Sequence, residues 1–194
     1  MDKSVVFIDG GYIADLLKNV FGNHRNPAKI NYKKLVDLLA SESESEALKT
    51  YYYYCEPYIS FNPTPEEIKK SENFGRFVNY LSNVLGFEVK LGCVKKHEDY
   101  NGKASFVQKG VDVMFAINAI ETCHHGIDGV DIQKEIFLAG DGDFVPVVKT
   151  VHKDGVEVCL AYSASCVSQD LLDVCDDYIH INRQLIDKCR FDSK

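Results

Sequence analysis

Asp141 and Asp143 alternate with glycine in Gly140-Asp141-Gly142-Asp143, a polar turn set between the apolar runs "IFLA" and "FVPVV". Asp9 follows "VVFI" and precedes Gly10-Gly11, and Asp112 stands in "KGVDV" between Val111 and Val113. Each of these acids falls where a buried segment ends or a helix begins. The neighbouring glycines permit turns that other residues strain to adopt, and they let a ligand approach the backbone. Two carboxylates about 4 Å apart repel by roughly 4 kcal/mol at an effective dielectric near 20, so a group of such acids calls for protonation or a cation. A hard divalent ion such as Mg2+ suits oxygen ligands and a substrate phosphate. There it polarises a phosphoryl oxygen, activates water and clamps an in-line displacement. Taken singly, each acid also has an ordinary structural role. The helix dipole favours Asp112 by about 0.3–1 kcal/mol, Asp143 suits the N-cap of a helix starting near Phe144, and Asp9 can satisfy backbone donors in a turn.

For the acids to meet, the fold must bring distant segments to one edge. "SVVFI", "LKTYYYYCE", "FEVKLGCV", "EIFLA" and "VEVCLAY" read as strands, rich in β-branched and aromatic residues. Helical segments run between them. "YIADLLKNVFG" stops at Gly22, "NYKKLVDLLA" has Asn31 as N-cap, and Thr64-Pro65-Glu66-Glu67 opens a helix that runs to about Leu85. "GVDVMFAINAIE", "FVPVVKTVHKDG" and "SQDLLDVC" are further helices, the last before a short "YIHI". "SESESE" (Ser41–Glu46) reads as a solvated acidic loop and His124-His125 as a helix end. Asn101-Gly102 predicts a tight turn, and with it a hairpin or flap near residues 94–108. The alternation of strand and helix predicts an α/β fold with a parallel sheet covered by helices on both faces. In such open sheets ligands bind in the crevice at the carboxyl ends of the strands, where these acids would gather. No repeat or interdomain linker interrupts residues 1–194, so a single domain is expected.

Apolar residues make up 45% of the chain and charged residues 26%, enough for a sizeable core. The net charge is −7 and the pI near 5.4. That argues against a sequence-independent nucleic-acid binder relying on a broadly basic surface, but not against an enzyme whose acidic site holds cations. The seven cysteines are odd in number, show no CxxC spacing and sit mostly among apolar neighbours, as expected of reduced, buried thiols in a cytoplasmic protein. No run is long and apolar enough for a bilayer, and "MDKSVVFIDGGY" enters a strand without a signal-peptide h-region. Lys90, Lys95, Lys96, Lys103 and Lys109 cluster around the third strand and the flap. They could draw in a phosphodiester or simply protect a sheet edge. "YYYY" (Tyr51–Tyr54) reads as a strand with alternating burial rather than as a base-stacking platform.

In order, "FIDGGY", "KGVDV" and "LAGDGDFVPVV" resemble the three signature blocks of NYN domains of the LabA-like branch, relatives of the PIN-domain nucleases. The tail "VSQDLLDVCDDYIHI" is similar to that branch as well, so the resemblance runs from about Val5 to Ile181. It implies a PIN-like three-layer α/β/α fold with a central, mostly parallel sheet. It also implies a catalytic metal site in which Asp9, Asp112, Asp141 and Asp143 bind Mg2+ or Mn2+, and a role in RNA processing or cleavage. By the same resemblance Lys109 would contact a phosphate of the substrate and Ser168 would hydrogen-bond near the site. The family's first block often reads D-G-x-N. Here Tyr12 takes the fourth position beside the substrate and cannot offer the amide's paired donor and acceptor; Asn118 is a stand-in at a helical position below Asp112. Two functions stand: a metal-dependent ribonuclease, or a non-catalytic NYN-fold regulator that binds RNA or a protein partner, with homo-oligomerisation open in either case. A phosphatase of the haloacid-dehalogenase type is disfavoured, because it needs a second acid two residues after its nucleophilic aspartate, where Gly11 stands.

Overall fold

The computed structural model describes residues 1–22, 27–98 and 104–191. Strands β1 (Asp2–Asp9), β2 (Ser45–Cys55), β3 (Glu88–Glu98), β4 (Ala104–Lys109), β5 (Lys134–Leu138), β6 (Glu157–Tyr162) and β7 (Asp177–His180) form one sheet in the order β4-β3-β2-β1-β5-β6-β7. Every neighbouring pair is parallel except β3 and β4, which are antiparallel. The Asn101-Gly102 turn and Lys103 lie outside the described residues. Helices α1 (Gly10–Asp15), α2 (Tyr32–Glu42), α3 (Pro65–Asn79), α4 (Val111–His125), α5 (Val145–Val151), α6 (Gln169–Leu172) and α7 (Arg183–Lys188) complete the chain. No helix among the described residues is long and apolar enough to cross a membrane.

Local signals act where the sequence places them. The Asn31 side chain caps α2 through the Lys33 and Lys34 amides. Thr64 and Glu67 form a reciprocal capping box at α3, with Pro65 at its first position. One π-helical turn extends α1 over Leu16–Val20 and another extends α3 over Tyr80–Val84, and the second gives way to Gly86 at φ 72°. The helix read from "SQDLLDVC" is a single turn, and α7, with Asn182 as its N-cap, was not foreseen.

Two apolar layers flank the sheet. On one face Ile13, Leu35, Leu39, Leu81 and Ile186 pack on Val6, Ile8, Tyr52 and Leu138. On the other, Phe115, Phe144, Val148 and Leu171 pack on Phe7, Tyr51, Tyr53 and Phe137. Because both faces are covered, the tyrosine run does not alternate between buried and exposed: Tyr51, Tyr52 and Tyr53 are all buried, and only their direction alternates. "SESESE" is likewise not a solvated loop. α2 runs to Glu42 and β2 begins at Ser45. Ser43 and Ser45 are buried, their hydroxyls 2.7 Å apart, and Ser45 donates to Ser4 Oγ at 2.8 Å. Short side chains that satisfy one another this way can be buried at small cost.

The amino end of β5 carries two buried titratable groups on opposite faces. Lys134 donates to the Ser43 carbonyl at 3.0 Å. Glu135 is wholly buried; its Oε1 accepts from Thr122 Oγ1 at 2.7 Å, and its Oε2 has no hydrogen-bond partner. Burial pushes this carboxyl up to about 8, against a smaller opposing pull from Thr122. An unfolded chain releases the same proton near pH ~4.3. Glu135's contribution to stability is therefore complete below that value and is lost as pH rises towards 8, because the folded state holds the extra proton in between. One proton limits the slope to about 1.4 kcal/mol per pH unit. Glu135→Gln should remove this slope. Urea denaturation of both proteins across this pH range checks it, and equal slopes would place the dependence elsewhere.

Candidate active site

The sheet order reverses between β1 and β5. From β1 the chain builds outward through β2, β3 and β4, then crosses back to lay β5 on the other side of β1. Such a switch point opens a crevice at the carboxyl ends of the two central strands. Asp9 is the last residue of β1, and Asp141 follows β5 after Ala139-Gly140.

Local backbone geometry orients both acids. Asp9 caps α1: its Oδ1 accepts from the Gly11 amide at 2.9 Å and the Tyr12 amide at 3.1 Å. Asp141 caps the short 3₁₀ turn Gly142–Phe144, accepting from the Asp143 amide at 2.9 Å. In each case one carboxylate oxygen, Oδ1, anchors the turn. Asp112 sits in the first turn of α4, after Gly110 has turned the chain at φ 88°. Gly140 has no room for a side chain, since a Cβ would come within 2.2 Å of the Cys166 carbonyl and 2.5 Å of the Tyr12 ring.

An aromatic pair beneath the surface joins the two acidic segments. Phe115, one turn after Asp112, meets Phe144, the neighbour of Asp143, at a ring-centroid distance of 4.3 Å, and both rings are buried. Neither phenylalanine was singled out in the sequence. The available signal was their offset from the acids, with Phe115 three residues past Asp112 and Phe144 next to Asp143.

Asp9 and Asp112 sense the charges around them. Burial raises the Asp9 carboxyl above the usual carboxylate range and the charges of Asp112 and Asp141 add to it, while the Gly11 and Tyr12 amides pull it down. Asp112 is raised by desolvation first, then by Asp141 and Asp143. The cluster is nonetheless open. Among the described residues, only Cys123, His124 and Asp154 bring three potential ligand atoms within 4.8 Å of one another, so no three aspartate carboxylates come that close. An all-oxygen donor set with mutual repulsion and room for water fits a hard, partly hydrated divalent cation. The Cys123 group lies at the far end of α4. There Asp154 Oδ2 accepts from the Cys123 thiol and lies 3.2 Å from His124 Nδ1, a tie between helix ends. Burial, then the hydrogen bond to Asp154, pushes that thiol up to about 12, which keeps it a donor.

The other residues read from the sequence divide. Tyr12 reaches across the crevice, where its hydroxyl accepts from the Ser163 amide at 2.8 Å. Burial pushes that hydroxyl up to about 12. Ser168 stands over the turn, its hydroxyl 2.7 Å from where a Gly142 Cβ would lie, and makes no cap hydrogen bond. Lys109 ends β4, exposed and across from Cys93, two residues before α4. Asn118 is not a stand-in for the missing asparagine. It lies six residues along α4 from Asp112 and accepts from the Tyr53 hydroxyl at 3.1 Å. Lys90 is not held ready for a phosphate, since it pairs with Glu88 at 2.6 Å.

The Phe115–Phe144 contact makes the site's geometry a packing property. Phe144→Ala should destabilise the fold by about 3–5 kcal/mol, the usual cost of emptying a buried phenylalanine site. It should also lower the Asp112 pKa, because Asp141 and Asp143 are released from their place beside it. Urea denaturation and NMR titration of the Asp112 carboxyl carbon check the two effects. An unchanged Asp112 titration in a destabilised variant would mean that the backbone alone positions the turn.

The model of the NYN domain family matches residues 3–182. Among solved structures, a protein of unknown function from Vibrio parahaemolyticus is similar, with a TM-score of 0.60 at 20% sequence identity over 93% of each chain. At that identity the likeness speaks for the fold alone. No curated protein matches the chain. NYN domains are part of the PIN-like nuclease superfamily, whose members generally use divalent metal ions, and the seven-stranded, mostly parallel sheet with helices on both faces agrees with its three-layer α/β/α architecture. With 180 consecutive residues matched by the family, from 3 to 182, the chain belongs to the NYN domain family.

Proposed function

We propose that this chain is a metal-dependent ribonuclease of the LabA-like branch, hydrolysing phosphodiester bonds at Asp9, Asp112, Asp141 and Asp143 with Mg2+ or Mn2+, in the cytoplasm. The observation that carries the reading is the meeting of Asp9, Asp112 and Asp141, from three separate segments, at the crevice where the sheet order reverses, with the Asp141 charge close enough to help raise the carboxyls of both Asp9 and Asp112. Free thiols at all seven cysteines agree with a reducing compartment.

The aspartates would hold the cation. Bound there, it supplies Lewis-acid polarisation of the scissile phosphate and lowers the pKa of a water. The chain's own contribution is placement. Asp9 and Asp141 are each held by backbone amides through Oδ1, which limits the freedom of the carboxylates. Because cation binding requires ionised carboxylates, and Asp9 and Asp112 hold their protons above the usual range, affinity for the ion should rise with pH beyond that range. Tyr12, braced on Ser163 and packed over Gly140, closes one wall. Ser168 over Gly142 and Lys109 at the end of β4 are the groups offered to a substrate phosphate.

Tyr12 also motivates a second reading. Its hydroxyl is tied to the Ser163 amide as an acceptor, so the position where the family often carries asparagine lacks the amide's paired donor and acceptor. A regulator that binds RNA or a protein partner without turnover would keep this fold.

Cleavage of labelled single-stranded and structured RNA separates the two. Wild type should cut with Mg2+ or Mn2+ and stop in EDTA. Asp141→Asn should lose on the order of 100-fold or more, since losing even an outer partner of a metal site costs about 10–100-fold. Cleavage that survives both EDTA and Asp141→Asn would remove the acidic site from the chemistry. Binding without turnover at saturating Mn2+ would favour the regulator.

A further inference from the structure

A second concave surface begins where the acidic crevice ends. Asp9 is paired in register with Tyr53, and the next residues of β2, Tyr54 and Cys55, form one wall of a groove of about 510 Å³. This falls within the ~300–1,000 Å³ of small-ligand clefts. Phe74 of α3, Tyr58 of the following loop and Phe106 of β4 supply further rings. Tyr54 and Phe74 stack at 5.9 Å, and Tyr58 and Phe106 lie 5.2 Å apart. Phe106 is 56% exposed, although it sits over a pocket that could have buried it.

Charges of both signs surround these rings. Lys70 lines the groove, and Lys96 is paired directly across from Phe106, so the two share a face of the hairpin. Glu56 and Glu67 line the groove as well, and the Glu67 carboxylate is turned to the start of α3, where it accepts from the Thr64 amide and the Ser60 hydroxyl, both at 2.8 Å.

We infer that this groove is a nucleobase subsite: an unpaired base of a single-stranded polynucleotide stacks on Phe106 and Tyr58 while its backbone passes from Lys70 and Lys96 towards the aspartates. The inference rests on the nuclease reading for its orientation and adds to it a preference for single strands. Bases inside a duplex have their faces covered by neighbours and cannot enter, whereas a splayed base offers a face to any aromatic ring, largely regardless of sequence.

Fluorescence anisotropy with an end-labelled 12-nucleotide RNA, single-stranded or annealed to its complement, tests this in EDTA, where the proposed metal chemistry is silent. Wild type should bind the single strand more tightly than the duplex. Phe106→Ala should weaken single-strand binding by roughly 5- to 100-fold, the loss of one base–aromatic stack, and Phe106→Tyr should restore it. Phe191→Ala, which removes a comparably exposed ring elsewhere, serves as control and should leave binding unchanged. No binding by wild type, equal binding of duplex, or unchanged affinity in Phe106→Ala would each overturn the subsite. The two readings fail separately. Metal-dependent cleavage with an unchanged KM in Phe106→Ala leaves a nuclease without this subsite. Phe106-dependent binding without cleavage leaves the subsite on a regulator.

Discussion

Parallel pairing of β1 with both β2 and β5 is the constraint from which the rest follows. Parallel strands deliver their carboxyl ends to a single edge, and each return crossing takes the chain over a face of the sheet. The helices must therefore cover both faces, and the sheet interior must be apolar on both sides. Whatever polar chemistry the central strands support is left for the edge. Asp9 and Asp141 emerge there on adjacent strands because β1 and β5 are neighbours, even though more than a hundred residues separate them in the chain.

What holds the edge in shape is aromatic. Phe7, in the middle of β1, contacts Tyr51 at 5.3 Å, Phe115 at 5.4 Å and Phe137 at 5.5 Å. The layer continues through Phe115 to Phe144, directly beneath the acidic turn. Three separate segments thus meet in one block of rings below and in one set of carboxylates above. The repulsion between those carboxylates acts against a packed interior with little freedom to yield. It adds to the burial that already raises the Asp9 and Asp112 carboxyls.

Much of this was legible in the sequence, for physical reasons that can be named. Strands buried on both faces read as unbroken apolar runs, so β1, β5 and β6 announce themselves, and carboxylates that interrupt such runs mark the edge. Helix caps at Asn31 and Thr64 are local chemistry and read directly. Legibility ended where partners are distant. The buried hydroxyls of Ser43 and Ser45 look like solvent-facing polarity until Ser4 is set beside them. Tyr12 looks like a substitution at a substrate-facing position until its hydroxyl meets Ser163, 151 residues away. Glu135 looks like the ordinary flank of a strand, yet only its contact with Thr122 satisfies any of it.

The hand-over at Gly92 has a mechanical consequence. β3 pairs with β2 only as far as Gly92, opposite Cys55; from Cys93 onward its partner is β4 alone. The β3–β4 pair thus projects past the sheet, tied to it through β3 at Gly92 and through Lys109 and Gly110 to α4, with Phe106 resting on Tyr58. Phe106 pairs with Lys96, four residues beyond Gly92, which puts it at the end of an arm of roughly 13 Å at about 3.3 Å per residue. At that length a small change in the angle of the arm moves the ring by an ångström or more, whereas Val94, nearer the base, stays packed against the layer beneath the aspartates. The fulcrum is tight, since a Cβ on Gly92 would lie 2.5 Å from the Lys109 carbonyl and 2.7 Å from the Val111 side chain. The position of Phe106 against Tyr58 is therefore set at the base of the arm, where β3 leaves β2 and β4 leads into α4, so the groove and the first turn of α4 share one anchor.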